Sequence, residues 1–218
     1  LTSLSDTSVQ VADETTAGGL SGVVLAADIP VMVTHSQGCS PVGPFHRVSA
    51  GEKSIVEALD GRPAVDVLKD DIGDVLARDL SRIGGYIHVA MPVPGSDTGD
   101  YMVRNLMGID PKGGMIAVGD DIDIGDRIMF VRRDPESAQK DFTNRLTDLK
   151  ARIGNAPIRG GLFVSCVARG AAMFGEEGRE VGVIKDILGD FPLTGFYANG
   201  EFCGNRMYGY TGVLSVFL

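Results

Sequence analysis

Short runs of β-branched and aromatic residues recur along this chain, and several are joined by Gly- and Asp-rich turns too brief to hold a crossover helix. That spacing confines much of the sheet to antiparallel pairing, because parallel neighbours need a connection of about a dozen residues or more. The runs are Val23–Ala27 and Val31–Thr34, both read as buried strands, then Arg47–Ser49, Ile55–Leu59, Tyr86–Val93, Met115–Val118, Arg127–Arg132 and Gly161–Ala168, with two more closing the chain. Three segments carry helical spacing instead. Pro63 suits a first turn, and Ala64, Val65, Leu68, Ile72, Val75, Leu76, Leu80 and Ile83 follow near a 3.6-residue period, with Gly73 placed to kink or split the helix. Asp134 caps a second helix with Pro135 at its first position, a stripe of Ala138, Phe142, Leu146, Leu149 and Ile153, and Gly154 as the stop. Val181, Ile184 and Leu188 mark a third, ended by Gly189. The expected class is α+β, with largely antiparallel sheets and helices packed on their outer faces. The Ser-, Thr- and Asp-rich residues up to about Gly18 read as an arm or loop, and Gly84–Gly85 marks a module boundary.

At 218 residues the chain has ample length for a core, and 22% charged residues with 44% hydrophobic ones is a folded composition. A net charge of −9, with no dense basic patch, makes nucleic acid and anionic membrane poor partners. Arg132–Arg133 is the densest cationic pair and reads as the exposed end of a strand. The longest apolar stretch, Gly22–Val33, is broken by Asp28 and Pro30 and is too short to span a bilayer. Cys39, Cys166 and Cys203 are far apart with no CxxC spacing, which argues against a structural zinc site and a disulfide scaffold. No signal-peptide pattern opens the sequence, so the expected location is cytoplasmic. The chain begins with Leu1, as a fragment or processed product would.

Several motifs are weighed and set aside. Asp120–Asp126 resembles a calcium loop, but Ile124 precedes the Gly and Arg132 stands where the closing Glu belongs, so a strand edge with a turn is expected and no metal is assigned. Thr34–Gly38 lacks the first Gly of a nucleophile elbow, and no helix follows Ser36 at once. His35, His46 and His88 have no paired spacing, and His88 reads as a satisfied sheet residue. Neither Gly18–Gly19 nor Gly160–Gly161 completes a phosphate-binding fingerprint, so no cofactor is assigned.

The segment Pro192–Cys203, followed by Tyr208–Leu214, gathers an acid, an amide and a thiol where the backbone turns between strands. Glu201 could bind an amine or stabilise the turn. Arg169, after the run ending at Ala168, could hold a ligand carboxylate through its planar fork or pair with a structural acid such as Glu201. Cys166 reads as a buried packing residue. Cys203 sits beside Gly, Asn and Arg206, surroundings that raise thiol reactivity, but no His lies near it in sequence to serve as base.

Seven ordered motifs carry a family resemblance: Gly38–Gly43, Asp60–Ala64, Gly99–Arg104, Ser165–Gly170, Phe174–Gly175, Pro192–Glu201 and Tyr210–Gly212. From about Gly22 onward the chain resembles the FIST domain family (F-box and intracellular signal transduction proteins), which has N-terminal and C-terminal parts. On this resemblance residues 1–84 are the end of the N-terminal part, whose first half is missing, and 85–218 are the C-terminal part. Phe202–Asn205 departs from the short aliphatic and Gly or Pro turn usual in the family, so the Cys203 thiol is particular to this protein. The resemblance implies an intracellular sensory domain for small ligands such as amino acids, with a signalling protein as a further partner.

The combined expectation is a ligand-binding domain rather than an enzyme. Arg169 holds a carboxylate, Glu201 an amine, and Asn199 and Tyr197 orient the ligand, with Cys203 beside them. The rival readings are a thiol-dependent enzyme using Cys203 or Cys166, and a protein-interaction module.

Overall fold

A computed structural model describes residues 9–12, 14–17, 22–93 and 101–218. The first part of the chain forms β1 (Val9–Ala12), β2 (Glu14–Ala17), β3 (Val31–Ser36), β4 (Ser40–Pro41), β5 (His46–Glu52), β6 (Ile55–Leu59) and β7 (Arg62–Pro63). After α1 (Ala64–Ala77) come β8 (Ile87–Pro92), β9 (Tyr101–Asp110), β10 (Met115–Val118), β11 (Arg127–Arg132) and α2 (Pro135–Ile153). The last part holds β12 (Gly160–Cys166), α3 (Gly170–Phe174), α4 (Arg179–Leu188), β13 (Leu193–Ala198), β14 (Glu201–Cys203), β15 (Arg206–Tyr208) and β16 (Gly212–Phe217).

Six strands run in the order β10-β9-β8-β11-β5-β6, and β6 pairs back onto β10 through Val56 with Ile116 and Ile55 with Ala117. Every pairing is antiparallel, so the strands close into a barrel and satisfy one another's backbone groups without a free edge. Val48, Val56, Leu59, Val89, Ile116, Ile128 and Phe130 fill its core, and Ala64, Val65 and Leu68 of α1 pack against them. Pro63 precedes that helix as its composition requires, and Gly73 breaks it with φ 77° and ψ 163°.

A second layer is an open sheet in the order β13-β12-β16-β3. Its β12–β13 pair is parallel, and α3 and α4 supply the crossover such a pair needs. The other two pairings are antiparallel. The stripe expected on α2 is buried against it: Phe142, Leu146, Leu149 and Ile153 join Phe163, Ile184, Leu214 and Val216. Asp134 caps α2 by accepting from the Ser137 amide, and Gly154 ends it. The α+β reading therefore stands, with strand exceeding helix and antiparallel pairing dominant.

Three expectations are corrected. Val23–Ala27 is not a strand: it is exposed coil, with Val24 wholly exposed, because β-branched residues favour a strand only where a neighbour completes the ladder. Tyr101–Asp110 is a ten-residue strand that apolar alternation hides, since Arg104, Asn105 and Gly108 interrupt it. The described part of the N-terminal arm, β1 and β2, is a hairpin; its other residues, and Gly99–Asp100, lie outside the described residues.

One polar clamp ties α1 to the barrel. His46 Nδ1 lies 2.6 Å from Asp60 Oδ2, and Nε2 lies 2.9 Å from Asp71 Oδ2. A Cβ on Gly43 would stand 2.1 Å from the Asp71 carboxylate, so glycine there lets the acid reach the imidazole. Burial works against the imidazolium, but the bonds to Asp60 and Asp71 outweigh it and hold His46 above its ordinary value. A raised histidine stabilises the fold fully below its unfolded pKa and loses that contribution as pH rises through the folded one. Urea midpoints should therefore fall from pH 5.5 to pH 8.5 by more in the wild type than in His46→Gln. Equal pH slopes in the two proteins would remove the clamp from the stability account.

Candidate functional site

Buried polar chemistry gathers where the barrel meets the open sheet, at the ends of β8, β11 and β12 and the segment leading into β16. Arg169, just past β12, is 1% exposed. Its Nε donates to Glu180 Oε1 at 2.8 Å, and Nη1 donates to the carbonyls of Ser36 at 3.2 Å and Tyr210 at 3.4 Å. Nη2 reaches Ser36 Oγ at 3.5 Å, and the guanidinium lies 4.9 Å from the Phe174 ring centroid and 5.5 Å from that of Phe142. Glu180 is in turn held by Ser165 Oγ at 2.9 Å. Of the two readings open for Arg169, the partner present is a structural acid, and it is Glu180 of α4 rather than Glu201. Gly38, at φ 66°, makes room for this group: a Cβ there would lie 2.9 Å from Nη1.

Ser36 Oγ donates to Asp141 Oδ2 at 2.8 Å, and the amides of Gln37 and Gly38 donate to the same oxygen. The Thr34–Gly38 motif is therefore the end of β3 and the start of the loop after it, anchored on α2. Asp120 of the acidic run pairs with Arg104 at 2.7 Å, Asp126 accepts from the Asp123 amide, and Ile122 is buried.

Glu201 is also buried, accepting from Thr211 Oγ1 at 2.7 Å, from the Thr211 amide and from the Gly200 amide. Burial pushes its carboxyl above the usual range, while these bonds and the Cys166 thiol pull the other way. Arg169 and Glu201 thus grip adjacent residues, Tyr210 and Thr211. Tyr197 and Asn199 stand exposed at the end of β13 and in the following turn, and the Tyr197 hydroxyl lies beside Gly170, next to Arg169. Cys203 lies on β14, with its Sγ 3.7 Å from His35 Nδ1.

Sequence reasoning missed Arg133. Read with Arg132 as an exposed strand end, it faces the opposite way: Arg132 is exposed beside Asp134, whereas Arg133 turns into the seam. Arg132 closes β11 and Arg133 follows it, so the side chains of the two neighbours part where the strand ends. The Arg133 guanidinium sits 4.7 Å from the Tyr210 ring centroid, and its Nη2 donates to the Ala168 carbonyl. Among the described residues no carboxylate pairs with it, and burial lowers its pKa. Tyr210 holds φ at 65°, a costly conformation for a residue with a side chain, and its hydroxyl donates to Asn105 Oδ1. His88 meets the Tyr210 ring edge-on at 4.9 Å. It is 2% exposed, and burial together with the Arg133 charge holds it below its ordinary value. Its Nδ1 has no hydrogen-bonding partner among the described residues, while the Tyr86 backbone bonds the ring, so the satisfied sheet histidine expected is met only in part. Two surface hollows, about 340 Å³ beside Leu80, Ile83 and Leu106 and about 260 Å³ beside Ile153, Pro157 and Phe191, lie elsewhere. The charged residues lining the second, Lys150 and Asp190, are exposed.

A closed antiparallel barrel and an open sheet, joined through a seam of two arginines, define a two-part domain with its polar chemistry at the junction. Residues 2–62 match the FIST N domain and residues 64–204 the FIST C domain, so the chain belongs to the FIST family. An uncharacterized protein of Mycobacterium tuberculosis (strain H37Rv) is 34% identical over 211 residues, covering 92% of this chain and 54% of the relative. One from Mycobacterium bovis is 30% identical over 213 residues, covering 92% of this chain and 53% of its own length. The chain therefore spans about half the length of these relatives. FIST domains are associated with signal transduction and are proposed sensors of small ligands. Among the described residues no helix is long and apolar enough to cross a membrane.

Proposed function

We propose that this chain is a cytoplasmic sensory domain that binds a small carboxylate-bearing ligand, of the amino-acid class, at the seam around Arg133. The observation that carries this reading is a half-buried guanidinium with no acid partner among the described residues, set against an aromatic ring. A cation so placed binds a carboxylate through charge-assisted hydrogen bonds strengthened by partial desolvation. The strained Tyr210 and the unpartnered Nδ1 of His88 beside it support a site shaped for binding. Arg169 and Glu201 act as its frame by fixing Tyr210 and Thr211, and Tyr197, Asn199 and Cys203 form an outer rim. The three unbridged thiols fit a reducing compartment. Arg133 follows a barrel strand while Tyr210 and Ala168 belong to the sheet layer, so occupancy changes the contact between the layers. A signalling partner protein reads that change.

A thermal-shift panel of amino acids and other small carboxylates is the test. At least one should raise the melting midpoint, and Arg133→Gln should weaken its binding by about tenfold or more. Arg132→Gln, altering the exposed neighbour, should leave binding intact. The reading fails if no carboxylate shifts the midpoint, or if the shift survives undiminished in Arg133→Gln.

A further inference from the structure

The three thiols have unlike surroundings. Cys39 is buried, and desolvation pushes it up to about 12, where thiolate is absent at any ordinary pH. Cys166 is 4% exposed and directed at Glu201. Cys203 is half-exposed, and the fold delivers to it the base that its sequence neighbourhood lacks: His35, 168 positions away, with Nδ1 at 3.7 Å from Sγ. That separation is a hydrogen-bond distance for sulfur.

Both partners are held by regular structure. His35 lies on β3, paired with Val213 of β16, and its ring packs on Tyr208 at 4.9 Å. Cys203 lies on β14 directly across from Arg206 of β15. Among the described residues, the charged and titratable groups facing the pair are these. Arg206 adds a cation across the hairpin, and Tyr208 covers the imidazole. Glu201, two residues along β14, has its carboxylate turned to Thr211 and Cys166. No other residue of β3 or β16 carries a charge, and Arg152 of α2 reaches the Val33 carbonyl. A thiol facing an imidazole and an arginine is the arrangement that stabilises thiolate.

We propose that Cys203 and His35 form a peroxide-reactive thiol–imidazole pair, a modification site whose chemistry does not use Arg133. The thiol proton passes to His35 Nδ1. The thiolate then attacks one oxygen of hydrogen peroxide, forming the S–O bond as the O–O bond breaks. The departing hydroxide takes the proton from the imidazolium and leaves as water. Sulfur is oxidised by two electrons to the sulfenic acid, peroxide is reduced, and a thiol reductant restores the site.

The test treats the folded chain with hydrogen peroxide and a sulfenic-acid trap, maps the adduct by mass spectrometry, and separately follows iodoacetamide labelling of each cysteine from pH 5.5 to 9. Cys203 should carry the trapped adduct, and its labelling should reach half its maximal rate at lower pH than glutathione does. His35→Gln should slow Cys203 labelling at pH 6.5 by about tenfold, while Cys203→Ser should abolish the adduct. An adduct on Cys39 or Cys166 instead, or a wild-type profile coinciding with glutathione, would overturn the proposal. So would a folded His35→Gln protein that labels like the wild type. The glutathione comparison decides the matter in the wild type alone should the variant not fold.

Discussion

Glu180→Ala should cost about 3–5 kcal/mol of stability, read as a fall in the urea midpoint, because it strands a buried guanidinium. The side chains of Arg169 and Glu180 are 1% and 4% exposed, so water cannot replace the lost partner. Domains of this kind are stable by only about 5–15 kcal/mol, so the loss is a large share of the whole. Arg169→Ala should cost a similar amount and also releases the carbonyls of Ser36 and Tyr210. The pair replaced together by apolar residues of similar size, Arg169→Met with Glu180→Leu, should lose much less than the sum of the single changes, since no charge is then left unpaired. Single-variant losses below about 1 kcal/mol would mean that the ion pair does not anchor the sheet layer. Ligand screens with Arg169 variants must be read against this structural cost.

Phe130→Ala is expected to be comparably damaging in the other layer, at about 3–5 kcal/mol for removing a fully buried aromatic ring. Phe130 is wholly buried on β11, the strand that joins β8 on one side to β5 and β4 on the other. The void would open beneath the place where the ring of strands is held together. Circular dichroism in urea should show an earlier midpoint with an unchanged slope. A loss under about 1 kcal/mol would show that the barrel collapses around the gap or tolerates it.

What the sequence made legible follows the range of the interactions involved. Helix α2 could be placed residue by residue, because Asp134, Pro135, Gly154 and the apolar stripe between them are local signals. Strands such as Met115–Val118 and Arg127–Arg132 were equally plain. Closure of the barrel was not, since β6 meeting β10 depends on twist accumulated over strands far apart in sequence. The candidate site divides the same way. Arg169 and Glu201 were picked out by residue type at strand ends, but the partners that occupy them, Glu180 and Thr211, are fixed only by packing. Arg133 was hidden by its neighbour, and His35 by the 168 positions between it and Cys203. Val23–Ala27 shows the converse: a strong local preference with no ladder to join.

A ring of strands is a finished object, whereas an open sheet is not. No strand can enter the ring of six without breaking one of its pairings; β4 and β7 pair only at its margins, on β11 and β6. The second sheet ends at β13 on one side and β3 on the other, so a longer chain can extend it there at no such cost. The relatives that the chain matches are about twice as long. The ring is complete at six members, and the sheet is the layer whose edges leave room for another strand.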